Sequence, residues 1–303
     1  MRRVDLFLAL GFLLLWKISL ACEICGCGVG NIYTGIMPQF SKNFVGIRYR
    51  SMTFRSHLKR SPIFHTEEHF YTAEIWARYY PLSKLQLIAF FPYHYNIQIQ
   101  KSQGKKIVLN GIGDPAILGS YALINTSNSM KRVKQNFLVG AGIKFPFGKY
   151  QYDAQNTKEV ANPNFQLGSG SVDFLFNAFY TLRFNKWGIT TDLSYKLNTQ
   201  NKQQYRFGNR TAHNIAIFFI AKFRELGLMP YLGSYYEFSE KDTQSQYPIE
   251  ITGGRLWNGS WGCEFYFRKI IVGSNVQIPF VQNLANQNIR SENRWNLHFS
   301  FVF

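Results

Sequence analysis

Between Val172 and Leu197 the chain alternates apolar and polar residues through two consecutive arms, and this alternation restricts the possible folds more than any other feature. In the first arm Val172, Phe174, Phe176, Ala178, Tyr180, Leu182 and Phe184 share one parity, opposite Asp173, Asn177, Thr181 and Arg183. After a polar break at Asn185-Lys186, Trp187, Ile189, Thr191, Leu193, Tyr195 and Leu197 share a parity, opposite Gly188, Thr190, Asp192, Ser194 and Lys196. A strand turns its side chains over at every residue, so each arm has one apolar and one polar face. Each arm is also about twice the ~5–6 residues of a globular strand. A tilted strand crossing a bilayer needs roughly 9–11 residues.

The pattern recurs along the chain. Phe44–Ser56, His69–Tyr80, Leu85–Ile99, Gly113–Ile124 and Asn136–Phe147 read as strands before the hairpin. Thr211–Phe223, Leu226–Phe238, Leu256–Phe267, Ile270–Val281 and Asn293–Phe303 read as strands after it. Very short connections alternate with long polar ones, the exception being 125–135, which should be short. Short periplasmic turns alternating with long external loops are the signature of an outer-membrane barrel. The expected fold is therefore all-β: a transmembrane, antiparallel, up-and-down barrel of about twelve strands. A soluble sandwich has shorter strands and no reason to expose so many aromatic faces. In the last strand Trp295, Leu297, Phe299, Phe301 and Phe303 alternate, and the chain ends on an aromatic. Barrels commonly end this way because assembly machinery reads the final strand, which makes that machinery an expected partner.

The N-terminus reads as an export signal over 1–21. Arg2 and Arg3 precede the apolar run Leu6 to Trp16, and Ser19 and Ala21 are small residues before Cys22. The run is too short for a spanning helix, which needs about 20 apolar residues. Residues 22–43 then form a Cys/Gly-rich periplasmic segment and 44–303 the barrel. Aromatics make up 17% of the 303 residues, yet mean hydropathy is slightly negative. A barrel greasy outside and polar inside averages to such a value. The formal net charge is +17. Such a surface attracts anionic partners. Export argues against nucleic acid and for lipopolysaccharide and other outer-membrane lipid, or for anionic solutes in a lumen.

Three short motifs carry a resemblance. They are Gly111-Ile112-Gly113-Asp114 ahead of a strand holding Tyr121, Lys144-Phe145-Pro146-Phe147-Gly148, and the run from Gln166 through Gly168, Ser169, Gly170 and Ser171 to Asp173. Over roughly 44–303 the chain resembles a family of bacterial outer-membrane proteins named for the meta-pathway of phenol degradation (MetA-like), distantly similar to FadL-type hydrophobic-solute channels. The resemblance implies a barrel for passive uptake of small, often hydrophobic or aromatic, molecules in the outer membrane of a Gram-negative bacterium. The N-terminal cysteines are not part of that pattern.

Parity assigns an inner wall, and it is the candidate solute-lining surface: Arg48, Arg50, Glu74, Arg78, His94, Lys144, Asp173, Asn177, Arg183, Asp192, Lys196 and Glu264. Mixed charges inside a small barrel either pair and plug it or line a path. Cys22, Cys25 and Cys27 are a separate candidate. Thiolates so spaced can hold copper or zinc, making the chain a metal-associated outer-membrane factor. A disulfide, or lipidation of Cys22, uses the same residues. Cys263 shares the lipid-facing parity of Trp257, Trp261 and Phe265, so it is not expected as a further ligand. His57, and His65 and His69 about the sequence HTEEH, do not match the HExxH metalloprotease motif. No cofactor other than that metal is expected, and no enzyme: His298 and Ser300 face inward without an acid or nucleophile motif. The glycines from Gly26 to Gly30 follow no strand and so do not read as a nucleotide loop.

Overall fold

A computed structural model describes residues 42–56, 65–101, 104–126, 132–151 and 163–303. The expected signal peptide, His57 and Cys22, Cys25 and Cys27 lie outside these residues. The strands are β1 (Phe44–Ser56), β2 (Thr66–Leu82), β3 (Leu85–Gln100), β4 (Lys105–Ile112), β5 (Ala116–Asn125), β6 (Val133–Lys144), β7 (Asp173–Phe184), β8 (Trp187–Leu197), β9 (Tyr205–Arg206), β10 (Arg210–Phe219), β11 (Ala221–Phe223), β12 (Leu226–Ser239), β13 (Thr243–Gln244), β14 (Tyr247–Pro248), β15 (Gly254–Phe267), β16 (Ile270–Leu284), β17 (Ile289–Ser291) and β18 (Arg294–Val302). Three pairs, β4 with β5, β10 with β11, and β17 with β18, each continue one wall strand, and β9, β13 and β14 form a separate small sheet. Twelve wall strands remain, all antiparallel to their neighbours.

The hairpin of β7 and β8 pairs Phe174 with Leu197 at one end and Phe184 with Trp187 at the other. Closure is direct: β1 pairs with β18 from Phe44↔Val302 to Ser51↔Trp295, so no wall edge is left open there. The two-residue turns at Asn185, Arg224 and Arg268 each put that residue at φ 51–53°, a left-handed conformation that matches strand twist in tight hairpins. These turns share one end of the barrel, the periplasmic end by the short-turn rule.

Burial is inverted relative to a soluble protein. Outward Leu232 is 69% exposed, whereas inward Asp173 is 0% exposed. Lipid is the solvent for the first and the protein interior for the second. Cys263 lies on the outward face, half-buried.

Two expectations about the wall are corrected. The fourth wall strand begins at Lys105 rather than Gly113, and it is interrupted at 113–115. Pro115 has no N–H for a ladder, and Asp114 turns into the lumen instead. The fifth ends at Lys144 rather than Phe147, because Phe145 donates to the Pro115 carbonyl at 2.8 Å and Pro146 cannot donate. The connection 125–135 shortens, since β6 starts at Val133.

Candidate functional site

The interior is layered along the barrel axis. At the loop end, inward Phe54, Phe70, Leu256, Leu284 and Ile289 pack with Phe165. Phe165 comes from the long β6–β7 connection, which dips into the barrel: Asn164, Phe165, Gln166, Leu167 and Ser169 are all buried. Its ring meets Phe70 edge-on at 6.0 Å. At the tight-turn end a second apolar layer holds Phe44, Trp76, Ile88, Phe90, Leu118 and Leu175.

Charge fills the middle. On β1 and β2, Arg48 Nε donates to Glu74 Oε1 at 2.8 Å and its Nη2 reaches the same oxygen, while Arg50 Nη2 meets Oε2 at 3.3 Å. The Arg48 guanidinium also sits 5.1 Å from the Trp76 ring. His94 Nδ1 lies 2.9 Å from Thr72 Oγ1. Arg294, on β18 next to β1, reaches Glu237 of β12: its Nη1 meets Glu237 Oε2 at 3.0 Å, and the Tyr235 hydroxyl donates to the same oxygen at 3.1 Å. Glu264 accepts from the Tyr266 hydroxyl at 2.5 Å.

The third ionic group ties the wall itself. Lys144 Nζ lies 2.6 Å from Asp114 Oδ2 and 2.9 Å from Asp173 Oδ2, and it also contacts Ser169 Oγ. Asp114 accepts from the backbone N–H of Gly148 at 2.9 Å and of Ser169 at 2.8 Å. Asp173 takes Ser171 Oγ at 2.8 Å, Thr199 N at 3.1 Å and Lys196 Nζ at 3.4 Å. The group sits where strand pairing fails. Among the described residues β4 is paired only on its β3 side, and β6 stops at Lys144, level with Ala116. Buried ions of opposite sign with their remaining lone pairs satisfied are the arrangement in which such pairs hold.

All twelve residues expected on the inner wall face inward, as the strand registers and burial alternation require. Arg48, Arg50 and Glu74 form one cluster, and Lys144, Asp173 and Lys196 another. Arg78 sits at the tight-turn mouth over the Phe44 ring. Asn177 accepts from Ser120 Oγ at 3.4 Å. Asp192 has no ion-pair partner among the described residues. Sequence reasoning quoted Asp114 and Ser169 only as motif residues, without placing them in the inner wall, and missed Glu237 and Arg294. The last two share the inward parity of their strands, and Asp114 stood within a quoted motif, so the signals were present.

The free space is asymmetric. From Phe44 to Arg50 and from Glu68 to Arg78 the inward residues are buried, and apart from Gly46 and Thr72 they are bulky. On β6, β7 and β8, inward Gly140, Asn177, Arg183, Asp192 and Ser194 are only half-buried. Open lumen therefore reaches these positions, whereas Leu138, Leu175, Phe179 and Thr190 on the same strands are buried.

Among the described residues no group of His, Cys, Asp or Glu is placed to hold a metal ion. At the loop end, the small β9–β13–β14 sheet is anchored by Asp242, which accepts from the Tyr205 hydroxyl at 2.6 Å, Gly208 N at 2.7 Å and Asn164 Nδ2 at 3.3 Å. Burial raises the Asp242 carboxyl above its ordinary value, and these donors pull partly against that rise.

Comparison with known proteins places this geometry. The family described as "Putative MetA-pathway of phenol degradation" matches residues 83–247. A COG4313 outer membrane channel from Pseudomonas putida F1 aligns over 86% of this chain and 96% of its own, at 14% identity and a TM-score of 0.63. The β domain of the Bordetella autotransporter BrkA aligns over 86% and 99% at 8% identity and a TM-score of 0.49. The translocator domain of the autotransporter NalP from Neisseria meningitidis aligns over 90% and 92% at 7% identity and a TM-score of 0.47. No curated protein matches the chain in sequence. The family match covers more than half of the residues and includes all three glycine- and acid-bearing motifs, so the chain belongs to the phenol-degradation MetA-pathway family and has the closed twelve-stranded barrel of an outer-membrane channel.

Proposed function

We propose that the barrel takes up small hydrophobic or aromatic solutes passively across the outer membrane of a Gram-negative bacterium, which it reaches with an export signal. The observation that carries this reading is the apolar layer at each end of the lumen, with Phe54, Phe70 and Phe165 at one and Phe44, Trp76 and Phe90 at the other. A channel for hydrated solutes has a polar, water-filled interior. Aromatic constrictions strip water from a solute, which an apolar molecule gains from and an ion or sugar does not. Between the layers the half-buried wall of β6 to β8 leaves room to pass. The stretch beside β4, which among the described residues is paired only with β3, offers an apolar solute a route between lumen and outer leaflet that avoids the polar loops.

The reading is of a channel and not of a catalyst. His298 faces the lumen edge-on to Trp76, with ring centroids 5.7 Å apart, and no carboxylate lies within ion-pairing distance of it among the described residues. The family's name supports the substrate class.

The test is paired flux through the purified full chain in proteoliposomes. Toluene-class solutes should equilibrate faster than in empty vesicles, while arabinose and glycine should not swell them. Rapid sugar swelling with no gain for the apolar solute would replace this reading with a general diffusion pore.

A further inference from the structure

The tight-turn mouth holds a cavity of about 410 Å³, within the roughly 300–1,000 Å³ of small-molecule sites. Its floor is the seam between two apolar clusters. Ile271 and Val302 belong to one, and Met229 to the other, against which Tyr266 packs. Met229, Ile271 and Val302 are inward residues of their strands, so the cavity opens from the lumen and not onto the lipid face.

The rim is cationic. Lys42, Arg78, Lys222, Arg224 and Arg268 line it, and Glu225 is the one carboxylate among the lining residues. That carboxylate is already engaged by Arg268 Nε at 2.8 Å. Glu264, close by, is held by the Tyr266 hydroxyl. Arg78 is fixed at the rim by donating from Nε to the Lys42 carbonyl at 3.1 Å. Lys222 and Arg224 are exposed and enter no ion pair among the described residues.

An apolar floor under an excess of cations selects one kind of ligand. Burying the body of an amphiphile is favourable in proportion to its apolar area, and a carboxylate head meets charge-assisted donors at the rim. We propose that this cavity is a periplasmic-side binding site for monoanionic amphiphiles, with an aromatic or short aliphatic body on a carboxylate head. Its place on a path rests on the uptake reading, whereas the binding itself does not. A solute delivered there is held by charge until it is released into the periplasm.

Fluorine NMR titration of the full chain in phosphatidylcholine nanodiscs tests this, with 4-fluorobenzoate against 4-fluorobenzyl alcohol as probes. The acid should bind about tenfold more tightly than the alcohol. The double variant Lys222→Gln with Arg224→Gln, both on exposed residues, should remove that preference and leave the alcohol unaffected. Ile271→Trp should weaken both probes by filling the floor, and heat-dependent gel mobility reports whether that variant folds. If it does not, the rim variant decides alone. Equal binding of acid and alcohol, or an unchanged preference in the rim variant, overturns the site. Loss of benzoate binding when phosphatidylglycerol replaces phosphatidylcholine overturns it in favour of a lipid headgroup. Benzoate binding without flux would count against the channel and not the site, and flux without binding against the site and not the channel.

Discussion

Two stretches of the wall use buried charge in opposite ways. From β1 to β3 the strands pair without a break over twelve positions in β1–β2, from Phe44↔Arg78 to Arg55↔Glu67. There the Arg48–Glu74–Arg50 cluster spans strands that the backbone already joins, and it fills lumen. Between β4 and β6 no ladder is formed among the described residues, and at the end of the β6–β7 ladder, where Lys144 pairs with Asp173, the Lys144 ammonium also reaches across to Asp114. The inward residues beneath it, such as Gly140 and Gly142, are small and fill little. The same chemistry is thus packing in one place and fastening in the other. The contrast teaches that an ion pair's structural weight depends on what else holds its two ends.

The sharpest way to break the contrast is Lys144→Met. Removing the shared cation leaves buried Asp114 without an ion-pair partner among the described residues and Asp173 with Lys196 alone, a change of about 3–5 kcal/mol for such sites. The folded-to-unfolded shift on heating in detergent should fall by that amount, and apolar-solute flux should rise because the β4–β7 stretch loosens. A stable, unaltered variant would show that the loop packing around Phe165 closes the wall by itself. Glu74→Gln is the matching change in the continuous stretch. It keeps an acceptor for Arg48 while removing the charge, so about 2 kcal/mol is expected, with flux unchanged. Increased flux from this variant would erase the distinction between the two regions.

The smallest effect belongs to the loop-end sheet. The Asp242 carboxyl is raised in the folded protein above its ordinary value of 3.8, so folding takes up a proton between that value and the higher folded one. The stability this provides is fully present below 3.8 and is lost as pH rises through the folded value. Amide exchange at Tyr205 and Thr243 should therefore speed up as pH rises across that window, after correction for intrinsic rates, while the β1–β3 amides stay protected. Asp242→Asn should flatten this dependence; a slope that survives the substitution would assign it to another group.

Much of this architecture was readable from alternation alone. The parity of Val172 to Leu197 gave the lipid and lumen faces, because a membrane strand must obey it over its full length. The inward placement of Arg48, Glu74, Lys196 and Glu264 followed by the same rule. What parity does not encode is the meeting of separate motifs. Asp114, Lys144 and Asp173 were each noticed, but their convergence depends on a strand that breaks at Pro115 and a loop that turns inward. The turn inward is driven by Phe165 and Leu167, two apolar residues in a polar-looking stretch. β4 was misread as loop because Lys105, Lys106, Asn110 and Gly111 resemble loop composition, although Ile107 and Leu109 alternate correctly. Glu237 and Arg294 needed only that the inward parity be applied on β12 and β18 to their charged residues, as it was on β8 and β15.

The seam where β1 meets β18 has a consequence for how the chain is made. Phe44 pairs with Val302, and Phe303 N donates to Asn43 O at 3.1 Å, so partners at nearly opposite ends of the polypeptide must find one another. Hairpins such as β7–β8 form from neighbours, but this contact is among the most distant in sequence, and its loop-closure entropy is met last. Until the final strand docks, the assembling β1 and β16 each present a raw edge able to recruit a neighbour's strand. The interval between pairing of the first hairpins and docking of β18 is therefore the period of greatest aggregation hazard, and shortening the chain by its last strand should make that period permanent.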